Sequence, residues 1–469
     1  MLYIEINRES VSCLSKQIYN SIKESALCGT IRPGEKLPSS RELSKYLNVA
    51  RNIVIESYEQ LIAEGYAYSK SGSGTYICEG VQFQKAKVDS VKKQQNNSKA
   101  LNSNVISFRT GIPDLESIPI KKWAQVYKEI SLDIKPSQMD YQNSLGDYEL
   151  RTQLSLYLNR IRGVRTTPEN ILITNGAAQS FNLLCQLISK DSYALVENPL
   201  SYGILYTLKS NNVKMKAIKL DEYGMVTSEL PDNPPKLIFT TPSHQFPVGV
   251  ILPIGRRIEM IKYAKKYNTY IVEDDYDSEF RFDGSPIQSM QYLDPEQVIY
   301  VGTFSKTLMP ALRMGYMVLP DILCKQMEDA KFVADLHSPI LEQLTLAKFI
   351  ETGLFDRHIK KMRRLYLKKR NHLIQCLKTS FGEQVTISGA EAGMHLVASF
   401  EEVHFDKALM QKIESQGIQI TAVNKHYMPD NYITTYDQSL IFGYGNTKLD
   451  EIEAGIKKLH SIIIESYTT

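Results

Sequence analysis

The sequence predicts an α/β protein in three parts: an N-terminal winged helix-turn-helix, a mostly parallel sheet covered by helices, and a small C-terminal α+β subdomain. Three observations predict it. Residues 1–80 read as helix, helix-turn-helix and hairpin. From about residue 105, short β-branched runs alternate with helical stretches, the pattern of a helix-covered parallel sheet. From about residue 340 that alternation gives way to one long basic helix and two isolated strand-like runs.

The first part is built as follows. Leu14, Ile18 and Ile22 recur at helical spacing, which predicts a helix over about 12–28, ended by Gly29. RPGEKLP is a turn-rich connector. Ser39 followed by Glu42 matches a capping box, with Leu43 and Leu47 behind it. After Asn48-Val49, the residues Val54, Tyr58, Leu61 and Ile62 share a helical face, and Gly65 suits the position just past the helix end. Two helices joined by a short turn are the helix-turn-helix pattern. YAYSKSGSGTYI then reads as a hairpin, the wing. Residues 81–104 follow as a polar linker with five lysines and one aspartate, a solvated tether whose lysines could also brush DNA phosphates.

In the larger part, strand-like runs occur at 171–174, 193–198, 236–241, 269–275 and 298–303, with helical stretches such as QSFNLLCQLIS and GRRIEMIKYAKKY between them. RHIKKMRRLYLKKRNHLIQCLKTSF reads as the long basic helix, and GMHLVASF and SLIFGYG as the later strands.

Composition narrows the class of protein. The chain has 469 residues, 43% hydrophobic and 23% charged, which suits an ordinary multidomain globular protein. No run approaches the roughly 18 apolar residues of a membrane span. The N-terminus, MLYIEINRES, is charged where a signal peptide needs an apolar core, so a cytoplasmic location is expected. Six cysteines without CxxC spacing argue for reduced thiols and against a zinc site. Residues 1–80 carry nine basic and nine acidic side chains, so bulk charge does not advertise DNA binding there; the helix-turn-helix pattern does.

Five candidate sites lie on successive strand ends. Asn175-Gly176-Ala177-Ala178-Gln179 is a small-residue turn before a helix, whose N–H groups suit a phosphate. Tyr202 could stack on a planar ring. Thr241–Gly249 is a Pro- and Gly-rich loop. IVEDDYDSEF ends an apolar strand in a carboxylate cluster, which costs repulsion unless cations or a ligand meet it; no EF-hand spacing is present, so no metal is expected. Lys306 follows the run Val298–Val301, with Thr303, Ser305 and Arg313 nearby to hold a phosphate. An amine and a guanidinium at a strand end suit a cofactor carrying an aldehyde and a phosphate. Pyridoxal 5'-phosphate is such a cofactor, held by a Schiff-base lysine.

These motifs carry a family resemblance. LPSSRELSKYLNVARN, SYEQLIAEGY and GSGTYI resemble the GntR-type winged helix of bacterial repressors. The resemblance implies that Arg41, Arg51 and Asn52 meet double-stranded operator DNA, with Lys70, Ser71, Ser73 and Thr75 in the wing. TPSHQFPVG, EDDYDSEF and GTFSKTL resemble fold-type I aminotransferases, and the whole chain resembles the MocR/GabR family of regulators. That implies that Lys306 attaches the cofactor and Asp274 pairs with its pyridine nitrogen. Tyr276 would bond the ring hydroxyl, with Tyr202 on the ring and His244 lining it. Ala177, Ala178, Thr303, Ser305 and Arg313 would surround the phosphate, and Tyr141 would reach the phosphate of the neighbouring subunit in a homodimer.

One position departs from the pattern. In the resembled enzymes an arginine in the strand matching SLIFGYG grips the substrate carboxylate, and here Ile441 stands in its place. Arg281, His395 and Lys425 are alternative anchors. The expected function is a DNA-binding regulator that senses an amino compound, or pyridoxal 5'-phosphate itself, with little or no physiological turnover. The alternative is an aminotransferase with a vestigial N-terminal domain.

Overall fold

The structure, a computed structural model, describes residues 4–10, 12–81, 105–283, 287–428 and 436–467. The expected linker therefore lies, from residue 82 on, outside the described residues. The chain divides into two compact units, Met1–Ala100 and Leu101–Thr469.

The first unit contains α1 (Leu14–Leu27), α2 (Ser40–Leu47), α3 (Arg51–Ala63) and the antiparallel hairpin β1 (Ala67–Lys70)–β2 (Gly74–Ile77). Ile18, Tyr19 and Ile22 of α1 bury against Leu43 of α2 and Val54, Tyr58 and Leu61 of α3, with Ala67 and Ile77 closing the core. The capping box is formed. Ser39 Oγ accepts from the Glu42 backbone N–H at 3.2 Å, and the Glu42 carboxylate accepts from the Ser39 backbone N–H at 2.9 Å. Asn48 ends α2 in the left-handed region, at φ 52°, and so makes the turn of the helix-turn-helix tight.

The second unit opens with β3 (Ile106–Ser107) and is dominated by an eight-stranded sheet. Its strands are β4 (Ile171–Thr174), β5 (Ala194–Asn198), β6 (Met215–Asp221), β7 (Gly224–Met225), β8 (Leu237–Thr240), β9 (Tyr270–Asp275), β10 (Val298–Thr303) and β11 (Gly315–Val318). Their order is β4-β11-β10-β9-β8-β5-β6-β7. The central neighbours β6, β5, β8, β9 and β10 pair in parallel, while β11 and β7 are antiparallel to their partners. Helices cover both faces, which is why β5, β8 and β9 are buried without alternation.

Helices α4 (Ile120–Asp133) and α5 (Tyr148–Arg162) precede the sheet, and α6 (Ala177–Leu184), α7 (Tyr202–Ser210) and α8 (Ile254–Tyr267) join its strands. The short α9 (Met290–Leu293) and α10 (Phe304–Thr307) flank β10, and α11 (Asp321–Asp335) and α12 (Ile340–Glu351) follow. One core packs Phe181, Leu205 and Met327 of α6, α7 and α11 on Val196, Phe239, Val272 and Ile299. Another packs Trp123, Leu154 and Phe349 of α4, α5 and α12 on Ile173, Tyr300 and Tyr316.

The C-terminal part holds α13 (Leu354–Phe381), α14 (Lys407–Ser415), α15 (Leu449–Tyr467) and the strands β12 (Val385–Ser388), β13 (His395–Phe400), β14 (Ile418–Gln419), β15 (Thr421–Ala422) and β16 (Ser439–Gly443). The sheet β12-β13-β16-β15 is backed by α13 and α15 through Leu396, Phe400, Leu440, Phe442, Leu373 and Ile456. β3 pairs with β14, so the start of the second unit is built into this small part. Residue 340 itself begins α12, whose apolar face is buried in the large core.

Candidate functional site

The strand ends converge on a cleft of about 280 Å³, lined by Gly111, Ala177, Ala178, Asp274, Tyr276, Asp277, Thr303, Ser305, Lys306, Arg313 and His395 among others. Parallel strands place their C-terminal ends on one edge of a sheet, so residues far apart in sequence meet there.

The carboxylate cluster at the end of β9 is sorted by its partners. Glu273 accepts from the N–H groups of Met290 at 3.0 Å and Gln291 at 3.1 Å. Asp275 accepts from Arg162 Nε at 2.8 Å and Tyr300 Oη at 2.5 Å. Asp277 faces His244 Nδ1 at 3.2 Å. Asp274, which lines the cleft, accepts no hydrogen bond at its carboxylate from the described residues. Burial, and then repulsion from Asp275, push its pKa up to about 8.

Lys306 comes next. Its Nζ donates to the Gly111 carbonyl oxygen at 2.6 Å. Burial pulls its pKa below the usual lysine value, against the pull of Asp277 and Asp274. A buried amine of lowered basicity is a better nucleophile.

The phosphate end is built from backbone. Gly176 has φ 93° at the start of α6, and a Cβ there would meet Arg313 Nη2 at 3.1 Å. The first N–H groups of α6, at Ala177 and Ala178, have no carbonyl available within the helix. Arg313 sits in the left-handed region at φ 48° and donates through Nη2 to the Asn175 carbonyl at 3.0 Å. A strained non-glycine at such a spot is the kind of backbone that functional sites retain.

These residues fit pyridoxal 5'-phosphate. An unpartnered buried carboxylate suits a protonated pyridine nitrogen, a buried amine suits an aldehyde, and a glycine cradle under a guanidinium suits a phosphate.

Other expected residues stand differently. Ser201 and Gly203 line the cleft, while the Tyr202 ring packs on His426 with centroids 4.4 Å apart and its hydroxyl donates to the Lys425 carbonyl at 2.6 Å. His244 was expected against the cofactor ring; it lies behind Tyr276 and Asp277, and His395 lines the cleft instead. Tyr276 donates to the His244 carbonyl oxygen at 2.9 Å. Tyr141 is 78% exposed and packs edge-on against His337, outside the lining of this chain's own cleft.

Ile441 is fully buried with Val397, Val423 and Tyr427, an apolar cluster that offers a carboxylate nothing. Of the alternative anchors, only His395 lines the cleft. Arg281 lines a separate cleft with Arg160 and Arg363, and Lys425 is exposed. Asp277 was not anticipated as a separate site residue; its place two residues past β9, beside Tyr276, was the available signal.

In the first unit, Arg51 and Asn52 are exposed at the N-terminus of α3, and Arg51 Nε donates to Ser40 Oγ at 3.1 Å. Arg41 is exposed in the first turn of α2, and Lys70 and Ser71 at the wing tip. Ser73 is tied to the Tyr76 hydroxyl at 2.6 Å, and Thr75 accepts the Leu37 N–H through its carbonyl, so both are half-buried within the wing.

Residues 103–435 match the family "Aminotransferase class I and II", and residues 14–77 match "Bacterial regulatory proteins, gntR family". The HTH-type transcriptional regulator YdeL of Bacillus subtilis is 34% identical over 97% of each chain. MocR of Rhizobium meliloti is 29% identical over 98% of this chain and 95% of its own. The crystal structure of Pyrococcus horikoshii kynurenine aminotransferase, in complex with PMP, superposes with a TM-score of 0.71 at 25% identity, covering 78% of this chain and 92% of that one. From both matches and their full-length relatives, the chain belongs to the MocR/GabR family of GntR-type transcriptional regulators, in which a winged helix is joined to an aminotransferase class I and II domain.

Proposed function

We propose that this chain is a pyridoxal 5'-phosphate-binding regulator that reads operator DNA as a homodimer and changes its operator binding when an amino compound, or the cofactor itself, occupies the Lys306 cleft. The observation that carries the reading is the pairing of two intact sites on one chain. An exposed Arg51-Asn52 pair opens a helix-turn-helix recognition helix, and Lys306, Asp274 and Arg313 converge in one cleft.

Bound pyridoxal 5'-phosphate supplies an aldehyde that combines with primary amines. The residues that would hold it are Lys306 at the aldehyde, Asp274 at the ring nitrogen and Tyr276 at the ring hydroxyl. Gly176, Ala177, Ala178, Thr303, Ser305 and Arg313 would hold the phosphate. Asp274 keeps a negative charge available once a cation meets it. Burial of Lys306 holds a larger fraction of its amine neutral. Ile441 and its apolar neighbours favour an effector held through its amino group over one gripped by a carboxylate.

The homodimer is supported by exposed apolar residues around Tyr141. Met139, Phe332 and Val333 of the same region are exposed, Val333 at 84%. Large exposed apolar residues grouped near one another mark an association surface. Two winged helices on a dimer would read two half-sites. No helix among the described residues is long and apolar enough to cross a membrane.

The experiment is footprinting of promoters near the gene, with and without pyridoxal 5'-phosphate and a panel of amines. Protection of a two-fold site that changes with cofactor or amine supports the reading. Rapid conversion of bound cofactor by amino acids, with no operator protection at physiological salt, would instead mark an aminotransferase.

A further inference from the structure

We propose that His244 and Asp277 form a buried charge pair that positions Tyr276 and sets the proton affinity of Lys306 where the cofactor attaches. The inference rests on the pyridoxal 5'-phosphate reading and assigns Asp277 a role of its own.

The geometry is specific. His244 Nδ1 lies 3.2 Å from both carboxylate oxygens of Asp277, and Nε2 lies 3.2 Å from the Gly389 carbonyl oxygen. Both side chains are 2% exposed. Each ring nitrogen thus faces an acceptor, and only an imidazolium donates from both. Burial opposes that charge, but Asp277 outweighs it, and the His244 pKa lies above its ordinary value.

Away from the cleft the pair is closely packed. Asp277 Oδ2 accepts the Met394 N–H at 3.3 Å. A Cβ on Gly393 would meet Asp277 Oδ2 and His244 Cε1 at 2.3 Å, so only glycine fits there without a shift. The His395 ring lies 4.6 Å from that of His244. Its Nε2 donates to the Pro247 carbonyl at 3.1 Å, and burial and the neighbouring His244 hold it neutral. Glu391 adds a more distant negative charge on His244.

The pair reaches the cofactor cleft in two ways. Tyr276 Oη lies 3.2 Å from His244 Nδ1 and donates to the His244 carbonyl, so the ring of His244 fixes where the phenol stands. Asp277 lines the cleft, and after burial it is the largest influence on Lys306, which it favours in the charged form. Asp274 acts in the same sense, Arg313 in the opposite one. His244 partly cancels the charge of Asp277, so the two together set how far Lys306 is pulled.

The test is the pH at which the visible absorbance of the pyridoxal 5'-phosphate-loaded full chain changes form. Asp277→Asn removes the attraction and should lower that midpoint by about one pH unit. Asp277→Glu, which keeps the charge, should restore it towards the parent value. His244→Gln leaves Asp277 uncompensated and should move the midpoint the other way. A midpoint unmoved by Asp277→Asn, or moved in the same direction by both neutral variants, overturns the proposal. Removing half of a buried pair leaves the other charge uncompensated, so a variant can fail to fold. A second measurement avoids this. In the parent chain with 15N-labelled histidine and no cofactor, one imidazole should keep both N–H groups to a pH above the ordinary histidine value, and loss of a proton from every imidazole at or below that value overturns the proposal. A parent chain that acquires no visible absorbance would instead sink the cofactor reading.

Discussion

Lys306 Nζ and the Gly111 carbonyl oxygen are joined by a 2.6 Å hydrogen bond across 195 residues of sequence. The bond holds the amine in the cleft, and Gly111 is shaped for it. Its φ is 71°, and a Cβ there would stand 2.8 Å from Nζ. Gly111→Ala should therefore both strain the backbone and crowd the amine, and weaken cofactor binding by about tenfold, or ~1.4 kcal/mol. Equilibrium titration followed by visible absorbance measures it. Lys306→Ala should abolish that absorbance and the effector response while leaving operator affinity in the absence of effector unchanged.

Asp274 predicts a pH dependence. Its folded-state pKa of about 8 lies above that of a carboxyl in an unfolded chain. For a raised carboxyl, its share of stability is fully present below the unfolded value and is lost as pH rises through the folded one. Cofactor-free protein should thus lose stability between about pH 4 and pH 8. Asp274→Asn should flatten that loss in thermal unfolding measured across the range. Pyridoxal 5'-phosphate should stabilise the parent more at pH 8 than at pH 5, because it places a cation beside the ionised carboxylate.

At the DNA-binding end, Arg51 is the strongest candidate for base contact, being exposed at the first turn of α3. Arg51→Ala should cost roughly 1–3 kcal/mol of operator affinity and relax discrimination at one position. Lys70→Ala in the wing should instead weaken binding to all sequences and reduce the salt slope by about one. Fluorescence anisotropy over a salt series separates the two.

Ser39 and Glu42 test the fold of the same unit. Their reciprocal bonds satisfy two N–H groups, one at each end of the box. Ser39→Ala should cost about 1 kcal/mol of stability in that unit. Hydrogen exchange at the α2 amides of the full chain reads this locally.

Much of this architecture is legible in the sequence. ILIT, KLIFTT and VIYVGT read as strands because helices bury both of their faces, leaving uninterrupted apolar runs. Lys306, Asp274 and Arg313 were legible because parallel strands put their chemistry at strand ends. Less was visible where function depends on contacts distant in sequence. Nothing local marks Gly111 as the partner of Lys306, or Asp277 as the partner of His244. Tyr202 reads as an aromatic at a strand end, but its resting ring packs on His426, a neighbour that spacing does not reveal. Residue 340 marks a real change of texture, yet α12 keeps to the large core because its apolar residues face α4 and α5.

The short run from Ile106 to Gly111 has a mechanical meaning. Ile106 and Phe108 donate their N–H groups to Gly417 and Gln419, and Phe108 accepts from the Gly443 N–H. Three residues further on, Gly111 holds the lysine. Six residues of extended chain span at most about 20 Å. The resting place of the amine is thus set from the small C-terminal part, to which this run is laced by backbone hydrogen bonds, as well as from β10, which carries the lysine's own end.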